Sequence, residues 1–288
     1  MAANVLFSII VGVVQGVSEW LPISSKTQVL LVSTFLFGLP TAVGFAFGLF
    51  MQLGSLTAAV VYLRKEVVSV FSDKKLFVYL LVVTTVTAVV GVPLYLITEK
   101  LLQGTYNVGA PMILLGAFLL ADGLYIRRAH RKPRITGLNE MGMKQYLILG
   151  FAQGLSALPG VSRSGMTVST MLFLGVEPES ALRLSFLAYI PASLGAFITS
   201  VVFSRTELHA AVGAIDLTGV AIAMTTAAVV GFATISGLLR FARQSEMYAI
   251  TIVLGIVALV VGLVVATGSV PAGPETLILP LPVFASHF

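Results

Sequence analysis

The sequence predicts an all-α integral membrane protein with an inverted-topology repeat, in which each half is a re-entrant helix hairpin plus three transmembrane helices. Three observations predict this fold. The 288 residues are 57% hydrophobic and only 10% charged, whereas soluble domains carry about 25% charged residues. Apolar runs of about 20 residues, long enough to cross a hydrocarbon core of about 30 Å, recur along the chain. Two similar polar stretches interrupt these runs, one in each half.

The two polar stretches are near-copies of each other. The first runs from Gln15 to Lys26 (QGVSEWLPISSK), and the second runs from Gln153 to Gly165 (QGLSALPGVSRSG). Each begins in an apolar segment, breaks at a proline, and continues with serines and one cation. The offset between the copies is nearly constant, at 138 residues from position 15 to 153 and 137 residues from the proline at 22 to that at 159. The constant offset indicates a duplication.

The apolar segments on either side of each break are too short to cross a membrane alone. Around the first break they cover residues 5–14 and 29–39. Around the second break, the two short segments and the break between them together cover residues 145–174. Each motif is therefore predicted to form a re-entrant hairpin. Because backbone inside a membrane leaves the helix only beside protein or a polar cavity, the breaks also predict a buried polar pocket.

Three full crossings are expected in each half of the chain. They are residues 41–63, 76–97 and 110–126 in the first half, and 181–203, 212–238 and 247–266 in the second. A hairpin returns to its own side and three crossings are an odd number, so the second copy must be inverted relative to the first. The chain is thus one membrane domain, with repeat 1 at about 1–130, repeat 2 at about 140–266 and a proline-rich C-terminal tail at 267–288.

The charges of the loops predict the orientation. Basic residues concentrate in alternate loops, at positions 64, 65, 74, 75, 127, 128, 131, 132, 134, 144, 240 and 243, while the other side carries only Lys100 and Arg205. By the positive-inside rule the first side is cytoplasmic, and both termini face outward. The basic loop 127–134 is explained by this rule, so the pI of 9.6 predicts no nucleic-acid partner. The N-terminus has no basic region and predicts no cleaved signal peptide. The absence of cysteine excludes disulfides and thiolate metal sites.

Three ionisable residues, Glu19, Lys26 and Arg163, lie at or beside the breaks. At mid-membrane each costs about 2.5 to 3.5 kcal/mol on insertion scales. Glu19 could pair with a cation simply to join the two hairpins. A functional site is the favoured alternative, because charge inside a membrane usually serves a substrate or an ion.

The residue types around the charges suit a phosphate group. Breaks at proline and glycine expose helix N-termini and serine hydroxyls, and one arginine can bind two oxygens at once. Arg163 is the strongest candidate, with Ser162, Ser164, Gly165 and Thr167 around it. Ser24, Ser25 and Lys26 would form the facing half. Serines in such positions also cap helices, and that alternative remains open here.

The two stretches resemble the signatures of the undecaprenyl-diphosphate phosphatases, the bacitracin-resistance family. The first motif of that family ends in Glu-Phe-Leu-Pro-Ile/Val-Ser-Ser, and residues 19–25 read EWLPISS. The second motif, Pro-Gly-x-Ser-Arg-Ser-Gly-x-Thr, is matched fully by residues 159–167. The resemblance implies removal of the terminal phosphate from a polyprenyl diphosphate, which regenerates the monophosphate lipid carrier of cell-envelope or glycan assembly. It also implies an inverted-repeat fold that often forms a homodimer.

The resemblance implies a role for each matching residue. The catalytic set is Glu19, Ser25 and Arg163. The family match and the residue types described above together give the residues expected around the phosphate, which are Ser24, Lys26, Ser162, Ser164, Thr167, Gln15 and Gln28. Two of these depart from the family pattern: Gln15 stands where the family has its first glutamate, and Gln28 stands where it has a histidine.

The two departures affect the expected chemistry. One carboxylate fewer weakens any site for Mg²⁺ or Ca²⁺, and no imidazole remains to transfer a proton near neutral pH. Lys26 could neutralise the diphosphate without a metal, with Glu19 acting as base for Ser25 or for water. If a metal is required, Glu19 and Gln15 are its candidate ligands. The alternative function is a transporter or flippase that binds the phosphorylated lipid without hydrolysing it.

Overall fold

The computed structural model describes residues 2–33, 38, 41–102, 135–158, 161–242 and 247–268, together with nine residues between 113 and 127. Every regular element in these ranges is a helix. The helices are α1 (Ala2–Ser18), α2 (Ser25–Leu31), α3 (Thr41–Phe50), α4 (Gln52–Tyr62), α5 (Arg64–Ser69), α6 (Lys74–Leu102), α7 (Met143–Leu155), α8 (Arg163–Phe173), α9 (Pro178–Phe203), α10 (Arg205–Ala242) and α11 (Met247–Ala266). A 3₁₀ turn at Leu138–Glu140 precedes α7.

The described helices are those of a multi-pass membrane protein. Three are long and apolar enough to cross a bilayer, at Lys74–Thr98, Pro178–Phe203 and Asp216–Arg240. Shorter apolar helices lie at Val5–Ser18, Phe47–Tyr62 and Gly255–Ala266. The predicted crossings at 76–97, 181–203 and 247–266 therefore coincide with α6, α9 and α11, and the crossing predicted at 212–238 lies within α10.

Two predicted crossings differ from the simple expectation. The crossing at 41–63 consists of two helices, α3 and α4, because the backbone tightens at Met51, where the amide of Gly54 donates to the Met51 carbonyl at 3.1 Å. In α10 the long crossing begins only at Asp216, which has a left-handed φ of 62° and whose carboxylate accepts from the amide of Gly219 at 2.7 Å. Most of the crossing predicted at 110–126, most of loop 127–134 and most of the tail at 267–288 lie outside the described residues.

The second hairpin consists of α7 and α8, and both of its ends lie at the same end of the helix bundle. Its two ends are tied by Ile135, whose amide donates to the Gly175 carbonyl at 3.2 Å and whose carbonyl accepts from the amide of Glu177 at 2.8 Å. At 13 and 11 residues, α7 and α8 are about 20 Å and 16 Å long, well short of a crossing. The chain therefore turns back within the bundle.

Basic residues collect at this same end, which we call the basic end. Lys75, at the start of α6, donates to the carbonyl of Asn139 at 2.6 Å. Arg183, in the first turns of α9, pairs with Glu66 of α5 at 2.7 Å. These contacts bring together the starts of α6, α7 and α9. The basic end carries Arg64, Lys65, Lys74, Lys75, Lys144 and Arg183.

The first hairpin, α1 and α2, packs against α10 and α3. Gly12 faces Ala223, and one turn later Gly16 faces Ala227, so α1 runs parallel to α10 towards the basic end. The closeness of this packing requires glycine, because a Cβ on Gly12 would lie 2.6 Å from the Ala223 carbonyl oxygen. In α2, Lys26 faces Gly48 and Leu30 faces Gly44, so α2 runs antiparallel to α3 and away from the basic end.

The largest hydrophobic core surrounds the point where α1 ends. Trp20 is 1% exposed and makes edge contacts with Phe186 and Tyr189 of α9, with ring centroids 5.0 and 5.1 Å apart. The same cluster includes Tyr79 of α6 and Leu149 of α7. Trp20 thus anchors the first break against the long crossing helices and fixes the residues that follow it.

Candidate active site

The two interruptions of the helices touch each other. We call residues 19–24 the first break and residues 156–162 the second break. The hydroxyls of Ser162 and Ser164 both donate to the carbonyl of Leu21, at 3.2 and 2.9 Å. The approach is close enough that a Cβ on Gly165 would lie 2.9 Å from Cβ of Pro22. Pro159 and Gly160, which the sequence predicts at the turn of the second hairpin, lie outside the described residues.

Several of the serines and glutamines shape the backbone locally. Ser162 caps α8, because its hydroxyl accepts from the amide of Gly165 at 3.2 Å. Ser24 precedes α2 in a left-handed conformation, with φ of 57°, and its hydroxyl is 2.9 Å from that of Thr27. Gln28 donates to the carbonyl of Ile23 at 3.0 Å and so stabilises the start of α2. The capping alternative therefore describes part of what these side chains do.

Glu19 is the centre of the polar contacts, and its side chain is only 3% exposed. One carboxylate oxygen accepts from the hydroxyl of Ser25 at 2.6 Å and from the amide nitrogen of Gln15 at 2.7 Å. The other oxygen pairs with Arg163 at 3.2 Å. Since Ser25 and Arg163 belong to different hairpins, Glu19 links the nucleophile candidate of one to the cation of the other.

Arg163 is held in a fixed plane. Its guanidinium donates to the carbonyl and hydroxyl oxygens of Ser185 at 3.3 and 3.4 Å. One face is covered by the ring of Tyr189, whose centroid is 4.2 Å from Cζ, a cation–π geometry. Tyr189 is itself fixed by donating to the carbonyl of Gln52 at 2.9 Å. A guanidinium has five N–H donors, and the Nε–H of Arg163 has no hydrogen-bond partner among the described residues.

Thr167 supports Arg163 from one turn further along α8. Its hydroxyl is 2.5 Å from that of Ser185 and donates to the carbonyl of Arg163 at 3.0 Å. Thr167 is fully buried and does not reach the cavity wall. Its contacts therefore fix Ser185, which in turn fixes the arginine.

Lys26 joins the two hairpins on the other side of the site. Its side chain is buried, with 6% of the residue exposed, and its ammonium donates to the carbonyl of Ser156 at the end of α7. Lys26, Glu19 and Arg163 border the same space. This arrangement puts two cations and one carboxylate at the junction of the breaks.

A cavity of about 350 Å³ opens at this junction, between α6 and α9. Of the site residues predicted from sequence, the cavity is lined by Glu19, Ser24, Ser25, Lys26, Ser162 and Arg163. Gln15, Gln28, Ser164 and Thr167 lie behind the wall, where they contact the lining residues or the neighbouring backbone. Away from the charges the wall is mainly apolar, with Leu49, Ala88, Val92, Val161, Ala196 and Ile198.

Comparison with known proteins identifies the family. A family model described as "Bacitracin resistance protein BacA" matches residues 8–264. The chain belongs to this family. A protein of Sulfurisphaera tokodaii named undecaprenyl-diphosphatase is 51% identical over 258 residues, which cover 90% of this chain and 97% of that one. Proteins with the same name from Saccharolobus islandicus and Pyrobaculum aerophilum are 48% and 38% identical, over 90% and 88% of this chain and 97% and 96% of theirs. The resemblance seen in the two motifs is thus confirmed.

Sequence reasoning missed several residues of this BacA-family site. Ser185 and Tyr189 of α9 hold Arg163, and Thr87 of α6 accepts from the amide of Gln153 at 3.0 Å on the cavity wall. Thr84 of α6 and Gln52 of α4 also line the cavity. Except for Gln52 and Gln153, these residues lie in the long apolar helices α6 and α9, where an isolated serine, tyrosine or threonine gives no distinct signal. Among the residues just named, Gln153 alone belongs to a motif recognised in the sequence, because it is the first residue of the second polar stretch.

The donor set does not fit a divalent cation. Within the described ranges, no group of three or more histidine, aspartate or glutamate side chains comes together. Mg²⁺ and Ca²⁺ take six or more oxygen ligands, usually with carboxylates among them. The one carboxylate here, Glu19, already accepts three hydrogen bonds, and one of the donors is the amide nitrogen of Gln15. No catalytic step is therefore assigned to a metal.

Proposed function

We propose that this protein is a membrane phosphatase that hydrolyses a polyprenyl diphosphate of the undecaprenyl type to the monophosphate carrier and inorganic phosphate. The observation that carries the proposal is the hydrogen bond of 2.6 Å between the Ser25 hydroxyl and Glu19, on a carboxylate that also pairs with Arg163. A hydroxyl, a base and a cation thus share one cavity. The relatives named undecaprenyl-diphosphatase support the same activity.

The cavity has the charge and shape that a lipid diphosphate needs. Its described lining includes two cations, Lys26 and Arg163, and one carboxylate, Glu19, which leaves one net positive charge for an anion. The adjoining wall between α6 and α9 is mainly apolar and suits the first isoprene units. A headgroup at the two breaks and a tail along the groove would satisfy both parts of the molecule.

The residues suggest a two-step reaction. The Ser25 oxygen attacks the terminal phosphorus and its proton passes to Glu19, while the bond from that phosphorus to the bridging oxygen breaks. The electron pair leaves with the prenyl monophosphate, which receives the proton. Water then attacks the phosphoserine and gives a proton to Glu19, while the bond from phosphorus to the Ser25 oxygen breaks. Glu19 passes that proton to the Ser25 oxygen, which restores the hydroxyl and releases phosphate. The unused N–H donors of Arg163 stabilise the charge on the transferred phosphoryl group.

The proposal includes an inverted-topology repeat, with both termini outside. Support comes from the directions of the helices, since α7 starts at the basic end and α1 runs towards it. The basic residues of that end support a cytoplasmic location by the positive-inside rule. Cysteines introduced at Ser72, near the start of α6, and at Thr267, after α11, should react with a membrane-impermeant thiol reagent from opposite sides. Labelling of both cysteines from the same side of the membrane would contradict this topology.

Phosphate release by the purified protein tests the function. Protein in detergent is incubated with a C55 diphosphate and with shorter prenyl diphosphates, and free phosphate is measured. We expect release by the native protein and a loss of at least about 10³-fold in Arg163→Ala and Ser25→Ala. Arg240→Ala, which removes an exposed arginine from α10, is the matched control and should keep full activity.

The same experiment distinguishes hydrolysis from the transport alternative. No described contact favours transport without hydrolysis, and the relatives named above are each called undecaprenyl-diphosphatase. Diphosphate binding without phosphate release at any chain length would overturn the proposed hydrolysis. Prenyl chain length and a homodimer remain predictions, which the substrate series and the mass of the detergent-solubilised protein would measure.

A further inference from the structure

We infer that this site binds the diphosphate through two side-chain cations, Lys26 and Arg163, and turns over without a divalent metal ion. The inference rests on the proposed function and adds how the headgroup is neutralised. It depends on three features of the described residues: the occupied carboxylate of Glu19, the position of Gln15 and the free donors of Lys26.

The first feature is that Glu19 offers a metal ion little free acceptor capacity, since a carboxylate has about four lone-pair sites and three hydrogen bonds already use three of them. Its two oxygens accept from Ser25, Gln15 and Arg163 at 2.6, 2.7 and 3.2 Å. The one acceptor site that a metal ion could use without displacing a donor is on the oxygen that already pairs with Arg163. A metal ion there would stand close to the guanidinium of Arg163, and the two positive charges would repel each other.

The second feature is the group next to Glu19 on the same face of α1. Gln15 precedes it by one helical turn and directs its amide nitrogen at the carboxylate, while the same nitrogen also lies 3.2 Å from the hydroxyl of Ser55. This N–H donor stabilises the ionised carboxylate. The amide oxygen of Gln15 is buried and has no hydrogen-bond partner among the described residues, but it is neutral and supplies a cation with no charge. A carboxylate at this position would instead put two acidic groups side by side, which is the arrangement that attracts a metal ion.

The third feature is Lys26, whose ammonium is only partly used. An ammonium has three N–H donors, and among the described residues its one hydrogen-bond partner is the carbonyl of Ser156. Lys26 lines the cavity and follows directly on Ser25 in α2. Two of its donors thus have no partner among the described residues, on the wall of the cavity that Ser25 also lines. Arg163 faces the Ser25 hydroxyl across Glu19, so the two cations flank the position of the headgroup.

Turnover with and without a chelator tests the inference. We expect the native protein to keep its activity in EDTA within about twofold of its activity in millimolar Mg²⁺ or Ca²⁺. Lys26→Met, which keeps length and removes charge, should lower kcat/KM by about 10²-fold. Lys26→Arg should recover part of that loss. Lys144→Met, at an exposed lysine of the basic end, is the matched control and should be unchanged.

A change of cofactor requirement gives the sharpest outcome. In the double variant Gln15→Glu/Lys26→Met, two adjacent carboxylates replace a carboxylate, an amide and a cation. We expect Mg²⁺ or Ca²⁺ to raise its activity at least about tenfold, and calorimetry to detect cation binding that the native protein lacks. Loss of native activity in EDTA with recovery on adding a cation would overturn the inference, as would full activity in Lys26→Met.

Binding measurements keep the test decisive if the protein releases no phosphate at all. In that case the proposed function fails, and the cation question is answered with methylene diphosphonate, a non-hydrolysable diphosphate. We expect this probe to raise the melting temperature of the native protein in EDTA, and to have no such effect on a folded Lys26→Met protein. Stabilisation that requires added Mg²⁺ or Ca²⁺ would contradict metal-free binding.

Discussion

Replacing Arg163 by lysine separates the charge of this residue from its shape. Lysine keeps the positive charge and can still reach Glu19. It cannot reproduce the two contacts with Ser185 at 3.3 and 3.4 Å, nor the planar stack on Tyr189 at 4.2 Å. The variant therefore tests whether the flat, forked guanidinium is what the site needs.

The expected cost follows from the lost contacts. Hydrogen bonds to a charged group contribute about 1.5 to 3 kcal/mol, and a desolvated cation–π contact about 2 kcal/mol. Stability should thus fall by about 2 to 4 kcal/mol, since the ammonium recovers part of the hydrogen bonding. If Arg163 contacts the transferred phosphoryl group, kcat should fall more than it would if Arg163 only linked the two hairpins. Loss of a positioned donor to the transferred phosphoryl group predicts a decrease in kcat of about 10² to 10³-fold.

The assay compares kcat and thermal unfolding for Arg163→Lys and Ser185→Ala in the same detergent. Ser185→Ala removes one acceptor and leaves the guanidinium in the site, so its kcat should fall by less than about tenfold. If Arg163→Lys keeps more than a tenth of the native kcat while its melting temperature drops, Arg163 is mainly a link between the hairpins. The proposed role in phosphoryl transfer would then be wrong.

Three further predictions concern residues that shape the site. Tyr189→Leu removes the aromatic face under Arg163 and should lower kcat about tenfold, whereas Tyr189→Phe should lose much less; equal losses would mean that the hydroxyl matters more than the ring. Gly165→Ala puts a Cβ 2.9 Å from Cβ of Pro22 and should destabilise the protein by about 1 to 3 kcal/mol, whereas Gly237→Ala meets no atom within 4 Å and should melt at or above the native temperature. Thr167→Val removes a buried hydroxyl from behind the cavity and should lower kcat by less than about tenfold; a loss as large as that of the arginine variants would indicate direct phosphate contact.

The membrane character of the chain and most of its crossings were predictable because hydropathy is a local property. The length and hydropathy of each apolar run show that it needs lipid or buried surroundings, and both can be read without knowing how the rest of the chain folds. The two breaks were predictable for a similar reason, since proline, glycine and charge stand out in apolar sequence. The tightening at Met51 and the start of the long crossing at Asp216 were not predicted. Both depend on single backbone positions within otherwise uniform apolar segments.

The chemistry of the site was partly predictable and partly not. The sequence by itself determined which reactive groups exist, because Glu19, Lys26 and Arg163 are ionisable residues next to breaks that a membrane tolerates only beside polar surroundings. Only the tertiary structure decided their partners. Lys26 meets the carbonyl of a residue 130 positions away, and Tyr189 reaches one 137 positions away. Such contacts depend on how whole helices pack, and no local pattern of residues specifies them.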